Sequence, residues 1–287
     1  MRKISDGEYL LIYLILICLA EIVTAYVSIQ AGIVVHISIL FLLFIHSGFI
    51  SREKMSVNKA QLLFIKQKKK PSGLLQSIIS KKADLASLLI VLTLAPLIRI
   101  LSLVMPLAHF PRIQWFTIIS VALYLSIIIV IRQQKLALRE HGFRWPKREH
   151  IPIEIGIALL AIPFGVMEYL ILRPPTPLIS SFSGEDLLMA ILILFIGTGL
   201  LEEIIFRGLL QKKTMDMMGA WQGILFVTLL FAVLHIGNLS FLDVLLVFFI
   251  GGIYAVVVHK TKTIIGVTVS HTMVNVMLFI VCPLTLV

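Results

Sequence analysis

Charge is scarce in this chain. Asp, Glu, Lys and Arg together make up 14% of 287 residues, against 59% hydrophobic. A soluble domain has no use for so much apolar surface, and mean hydropathy is +1.03. Cysteine is nearly absent: Cys18 and Cys282 lie in apolar runs at opposite ends, giving neither a disulfide framework nor a CxxC metal motif. There is no GxSxG nucleophile turn and no HExxH zinc-peptidase helix. Internal repeats and low-complexity tracts are also missing. Acidic residues are outnumbered, 15 against 25 Lys and Arg, for a net charge of +10. That balance would suit a nucleic-acid binder, but the basic residues form no reading motif. They collect between apolar runs instead, so no nucleic-acid partner is expected.

What the chain does have is a series of apolar runs, each about 20 residues long and able to cross a bilayer as a helix. They fall at roughly 9–29, 31–50, 85–105, 113–131, 151–172, 186–211, 220–236, 240–258 and 264–283. The expected fold class is therefore all-α, a polytopic transmembrane helical bundle of about eight or nine spans. The first run follows Arg2-Lys3 but has no small-residue cleavage site, so it reads as a retained span and not a signal peptide. If the spans alternate, 21 of the 25 Lys and Arg fall on one side and only Arg112 and Arg173 on the other, with Arg99 and Arg207 inside spans. That asymmetry predicts a multi-pass cell-membrane protein whose N-terminus and basic loops are cytoplasmic. Within the 51–84 loop, the apolar stretches Ala60–Ile65 and Leu74–Ile79 flank a lysine cluster. They read as one or two helices lying on the inner leaflet.

An ionisable side chain inside a bilayer is costly unless paired or hydrated, so each is a functional candidate. Before residue 186 they stand singly: Glu21, His36, His46, Arg99, Glu154 and Glu168. After it they concentrate. In Glu202-Glu203-Ile204-Ile205-Phe206-Arg207, helical spacing lets Glu203 pair with Arg207, while Glu202 is turned about 100° away and left available. His235 ends an apolar run beginning at Phe231, and His271 and Asn275 share a helix face. Measured at roughly 1.5 Å per residue from the basic side, Glu202, His235, His271 and Asn275 lie about 15, 22, 12 and 18 Å deep, in one band.

Taken singly, each element has a bland reading: a structural ion pair, a satisfied core histidine, interhelical polar contacts. Together they suit hydrolysis without a covalent intermediate. A carboxylate facing an imidazole can hold and deprotonate water, and an imidazole with a carboxamide can donate to an oxyanion. Two His and a Glu could also ligate zinc, so metal binding stays open at this level.

EExxxR, then FxxxH, then HxxxN on successive hydrophobic segments resembles the CPBP family, the CAAX-processing and bacteriocin-processing intramembrane proteases, also described as Abi or type II CAAX prenyl endopeptidase-like. The resemblance covers about residues 186–283, and Phe206-Arg207-Gly208-Leu209-Leu210 continues it. It implies a protease core at 151–287 behind an N-terminal membrane region, 1–150, of about four spans. It also implies a site opening to the cytoplasmic leaflet. Glu202 with His235 would activate water, His271 and Asn275 would stabilise the oxyanion, and Glu203 with Arg207 would brace the site. The family was long labelled metalloprotease; the glutamate-dependent reading is preferred, with no cofactor expected and zinc as the alternative. The expected substrate is a membrane-associated peptide or lipidated protein. The competing readings are a non-catalytic membrane partner or bacteriocin self-immunity protein that keeps the motifs for packing, and a small transporter. The transporter is disfavoured by the absence of an inverted repeat.

Overall fold

The computed structural model describes residues 5–66, 84–105, 110–174 and 176–286, with side chains of 54–66 outside the description. Those residues are helical throughout apart from short connections, and no strand occurs among them. Nine of the described helices are long and apolar enough to cross a membrane. They are α1 (Asp6–Tyr26), α2 (Ile29–Glu53), α3 (Asp84–Val104), α4 (Arg112–Gln134), α5 (Arg148–Leu172), α6 (Gly184–Met218), α7 (Ala220–Asn238), α8 (Phe241–Thr261) and α9 (Ile265–Thr285). The chain is a multi-pass membrane protein. Beyond its span, α2 continues as helix to Lys66, so Ala60–Ile65 prolongs that helix and is not a separate element. The second apolar stretch, 74–79, lies outside the described residues.

Local chemistry sets the ends. Ser5 caps α1 in a reciprocal capping box with Glu8. Ser240 accepts from the Asp243 amide at the start of α8. Gly219, at φ 91°, lets α6 turn into α7 within one residue, a conformation side-chain-bearing residues resist. Large apolar side chains such as Leu11, Phe41, Leu125, Leu159, Leu188 and Phe249 point outward from six different helices, as a lipid-facing surface requires. Trp145 and Trp221 are exposed at the end of the bundle where the basic connections lie.

Helix α9 is the central element and packs between α5 and the first half of α6. Its neighbours approach at glycines. A Cβ on Gly165 would sit 2.5 Å from the Met277 side chain and 2.9 Å from the Val274 carbonyl oxygen. A Cβ on Gly199 would collide with Thr272. Small residues allow this close backbone approach where apolar lipid supplies no hydrophobic drive for helices to associate. Polar contacts fix the register. The Gly266 amide, at the start of α9, donates to buried Glu154 of α5 (2.6 Å), a carboxylate placed at a helix N-terminus. Ser270 donates to the Ile157 carbonyl (2.8 Å) and also bonds Tyr254 of α8 (2.8 Å).

The front helices are joined to this core. In α1, Glu21 is fully buried, accepts from Arg99 Nε of α3 (2.6 Å) and lies 3.2 Å from His36 of α2. The connection between α4 and α5 is tied to α6 through His141, whose Nδ1 donates to the Gly208 carbonyl (2.8 Å). Burial pushes the His141 pKa below the ordinary histidine value, with Lys213 and Lys212 adding to the effect; the Gly208 bond and Glu140 oppose it. The folded protein thus binds this proton less readily than the unfolded chain. His141 therefore contributes stability above the unfolded value near 6.5, and that contribution is lost as pH falls. His141→Asn keeps a donor for Gly208 without the titration. Between pH 8 and pH 5, the melting temperature in detergent should fall further for the wild type than for His141→Asn; equal slopes would show that His141 is not the sensor.

Candidate active site

Helix α6 is irregular where the chemistry lies. Phe195–Leu200 and Ile204–Leu210 are π-helical and flank a single α turn, Leu201–Glu203, that presents the paired glutamates. In α9, Met277–Val281 is again π-helical, directly after Asn275. π segments are rare and occur mostly at functional sites. A regular helix was expected here, so the backbone itself is a correction to the sequence reading. The Glu203 to Arg207 contact survives it, with Arg207 Nη1 donating to Glu203 Oε1 at 2.8 Å.

That pair is deeply buried, with side-chain exposures of 1% and 0%. Arg207 Nη2 also donates to the Gly251 carbonyl of α8 (3.3 Å). The guanidinium stands 4.3 Å from the Phe231 ring centroid and 5.5 Å from that of Tyr254, positions suited to cation–π attraction. Glu203 has a further partner that sequence spacing did not reveal. His271 Nδ1 donates to the same Oε1 at 2.8 Å, so one carboxylate oxygen receives both a guanidinium and an imidazole. This fixes the ring and turns His271 Nε2 away, toward Glu202 Oε2 at 3.8 Å.

Glu202 is the more open of the two glutamates, with 28% of its side chain exposed. It lines a cavity of about 410 Å³ together with His235, His271 and Asn275. Glu203 and Arg207 stand behind this wall and do not line it. His235 Nδ1 donates to the Phe231 carbonyl (2.9 Å), which leaves Nε2 as the free ring nitrogen. The contact of Glu202 with an imidazole is therefore with His271, while His235 borders the same cavity. Asn275 Nδ2 donates to Thr198 Oγ1 (2.8 Å), and Thr198 in turn donates to the Leu194 carbonyl. One amide hydrogen of Asn275 remains for another acceptor.

Four cavity residues had weak or no signals in the sequence. Arg99 and Glu168 were visible only as solitary ionisable groups within spans. Thr198 and Trp115 carry no motif, and their roles come from the folded arrangement. Arg99 links residues 1–150 to the site, held by Glu21 on one side while it lines the cavity on the other. The cavity lies toward the end of the bundle away from the basic connections. A cytoplasmic opening and cytoplasmic basic loops are thus incompatible expectations.

Residues 184–277 match the family model described as type II CAAX prenyl endopeptidase Rce1-like. Over that segment the chain is similar to this family. No curated protein and no solved structure matches the chain. The Rce1-like segment runs from the start of α6 into α9 and contains Glu202, Glu203, Arg207, His235, His271 and Asn275. It supports a protease embedded in the membrane. Arg99, Arg112 and Glu168 lie before the segment and complete the same cavity. A metal site was the alternative for these residues. Among the described residues, no three His, Cys, Asp or Glu side chains converge as a metal ion requires.

Proposed function

We propose that this protein is an intramembrane endopeptidase that hydrolyses a peptide bond in a membrane-associated or lipidated substrate. The observation that carries this reading is the gathering of Glu202, His235, His271 and Asn275 on one cavity, within the segment that matches a protease family. Glu202, with His235 Nε2, takes a proton from a cavity water, and the resulting hydroxide attacks the substrate carbonyl carbon. The negative charge that develops on the carbonyl oxygen is received by the free Asn275 amide hydrogen and by His271 Nε2 when that nitrogen carries a proton. Collapse of the tetrahedral species breaks the C–N bond, and the proton held by Glu202 and His235 passes to the leaving nitrogen. Glu203 and Arg207 act as positioning residues through His271.

In this reading the protease core is 151–287. Residues 1–150 are a membrane region that contributes one wall of the cavity through α3 and α4. The N-terminus and the basic loops are cytoplasmic, in keeping with the charge asymmetry. The reaction is independent of a bound metal.

Comparing membrane-associated peptides of wild-type cells with those of a Glu202→Ala strain tests the reading directly. An intact precursor should accumulate in the mutant, and the purified wild-type protein should cleave that precursor with undiminished rate in the presence of a chelator. Identical peptide profiles would argue for the non-catalytic partner instead. About one zinc per chain, lost together with cleavage, would reject the metal-free mechanism.

A further inference from the structure

The bundle's two ends differ sharply in charge. The connections α2 to α3, α4 to α5, α6 to α7 and α8 to α9 meet at one end, because consecutive spans alternate in direction. In the sequence, those connections and the N-terminal segment account for 21 of the 25 Lys and Arg. The connections α3 to α4, α5 to α6 and α7 to α8 meet at the other, whose only Lys or Arg residues are Arg112 and Arg173.

The cavity belongs to the second end. It is bordered by Ser102 near the end of α3, Arg112 at the start of α4, Leu172 and Pro174 where α5 gives way to its loop, Asn238 at the end of α7, and Phe279 late in α9. The residue of α6 that reaches furthest toward the basic end is Phe206. None of the residues lining the cavity comes from the connections at 135–150, 212–219 or 259–264. Those connections are closed over the site from behind by His141 on Gly208 and by the buried Arg207 and Gln211, which bond α8 carbonyls.

Lys and Arg in short loops are retained on the cytoplasmic side, and here the bias is close to complete. Joining that rule to the position of the cavity, we infer that the site is served from the non-cytoplasmic face, and that its substrate is a membrane-tethered peptide segment exposed on that side. The inference rests on the proposed peptidase reading for what happens in the cavity, but not for which way the cavity faces. It excludes a tail anchored to the cytoplasmic leaflet, the substrate that the resemblance alone would suggest. It also explains how water reaches Glu202 without crossing the basic end.

Three single-cysteine variants test it, each against the wild type as background, whose Cys18 and Cys282 lie within spans. Ser181→Cys lies in the exposed connection between α5 and α6, Ser102→Cys lies in the cavity, and Lys147→Cys lies in the basic connection between α4 and α5. A charged, membrane-impermeant thiol reagent applied to intact cells should label Ser181→Cys and Ser102→Cys, and should label Lys147→Cys only after permeabilisation. Labelling of Lys147→Cys in intact cells would overturn the inference. So would a Ser102→Cys that reacts only after permeabilisation, or from neither side. Ser181→Cys is remote from the packed core and reports the orientation even if the cavity variant misfolds. Cleavage in detergent by the wild type but not by Glu202→Gln bears on the peptidase reading alone, since detergent abolishes sidedness.

Discussion

Glu202→Gln should lower turnover by roughly 10²–10⁴-fold, the range lost when a general base is removed, while leaving the melting temperature within a degree or two of the wild type. The carboxamide keeps the shape of the side chain but cannot accept a proton from water at neutral pH. The structure gives a reason to expect the fold to be indifferent. Glu202 is partly exposed to the cavity, and His271 Nε2 stands 3.8 Å from its Oε2, beyond hydrogen-bond distance. No helix depends on it for a hydrogen-bonded support, in contrast to the residue beside it. Binding of a peptide substrate should persist in this variant, so the loss should appear in kcat more than in KM. Cleavage of the accumulated precursor at the wild-type rate would remove Glu202 from the role of base.

Arg207→Ala should have the largest effect on stability, about 3–5 kcal/mol, because it takes the guanidinium from a buried carboxylate and leaves it only the His271 imidazole. That carboxylate is Glu203, whose side chain is fully buried and whose second oxygen already lacks a hydrogen-bond donor. Removing the guanidinium also takes away the bond to the Gly251 carbonyl and the contact with the Phe231 ring. Arg207→Lys should recover little, since an ammonium cannot reach Glu203 and the Gly251 carbonyl with the same planar fork. Replacing the whole pair, Glu203→Leu with Arg207→Met, separates two roles. Stability should return in large part, because neither charge remains to be desolvated. Activity should not, because His271 then has no carboxylate to fix its ring. Thermal unfolding in detergent and peptide cleavage, measured on the same preparations, read the two effects independently. Full activity in the double variant would show that the orientation of His271 does not depend on Glu203.

Much of this architecture was legible in the residues. Nine apolar stretches became nine helices because a membrane span must satisfy its own backbone, leaving few alternatives to a helix of about 20 residues. The spacing of Glu203 and Arg207 pointed to their pairing for the same local reason. Contacts between helices were less accessible. Nothing in the spacing of HxxxN says that His271 meets Glu203 sixty-eight positions earlier, or that Asn275 meets Thr198. Those depend on how closely α9 approaches α6, which is set by Gly199 against Thr272. Glu154 stood among the solitary ionisable residues and turns out to cap the amide of Gly266, a structural use that a single sequence cannot distinguish from a catalytic one. Arg99 was in the same group, and its place on the cavity follows from the buried Glu21 that holds it.

The π segments of α6 give this site a phase. A turn closed from i to i+5 holds one residue more than a turn closed from i to i+4, so each π stretch stores a surplus residue in an otherwise α-helical rod. Were the same residues between 195 and 200 wound as regular α helix with none removed, the surplus residue would turn everything after it by about 100° against the outer half of the helix. The string EExxxR would still be present, its internal spacing untouched and its hydropathy unchanged. Its two carboxylates would nevertheless be delivered to a different side of the bundle. For proteins of this type, then, a motif match certifies the spacing within the motif. Whether the glutamates face the histidines is decided upstream, by the π winding of a stretch with no catalytic side chain.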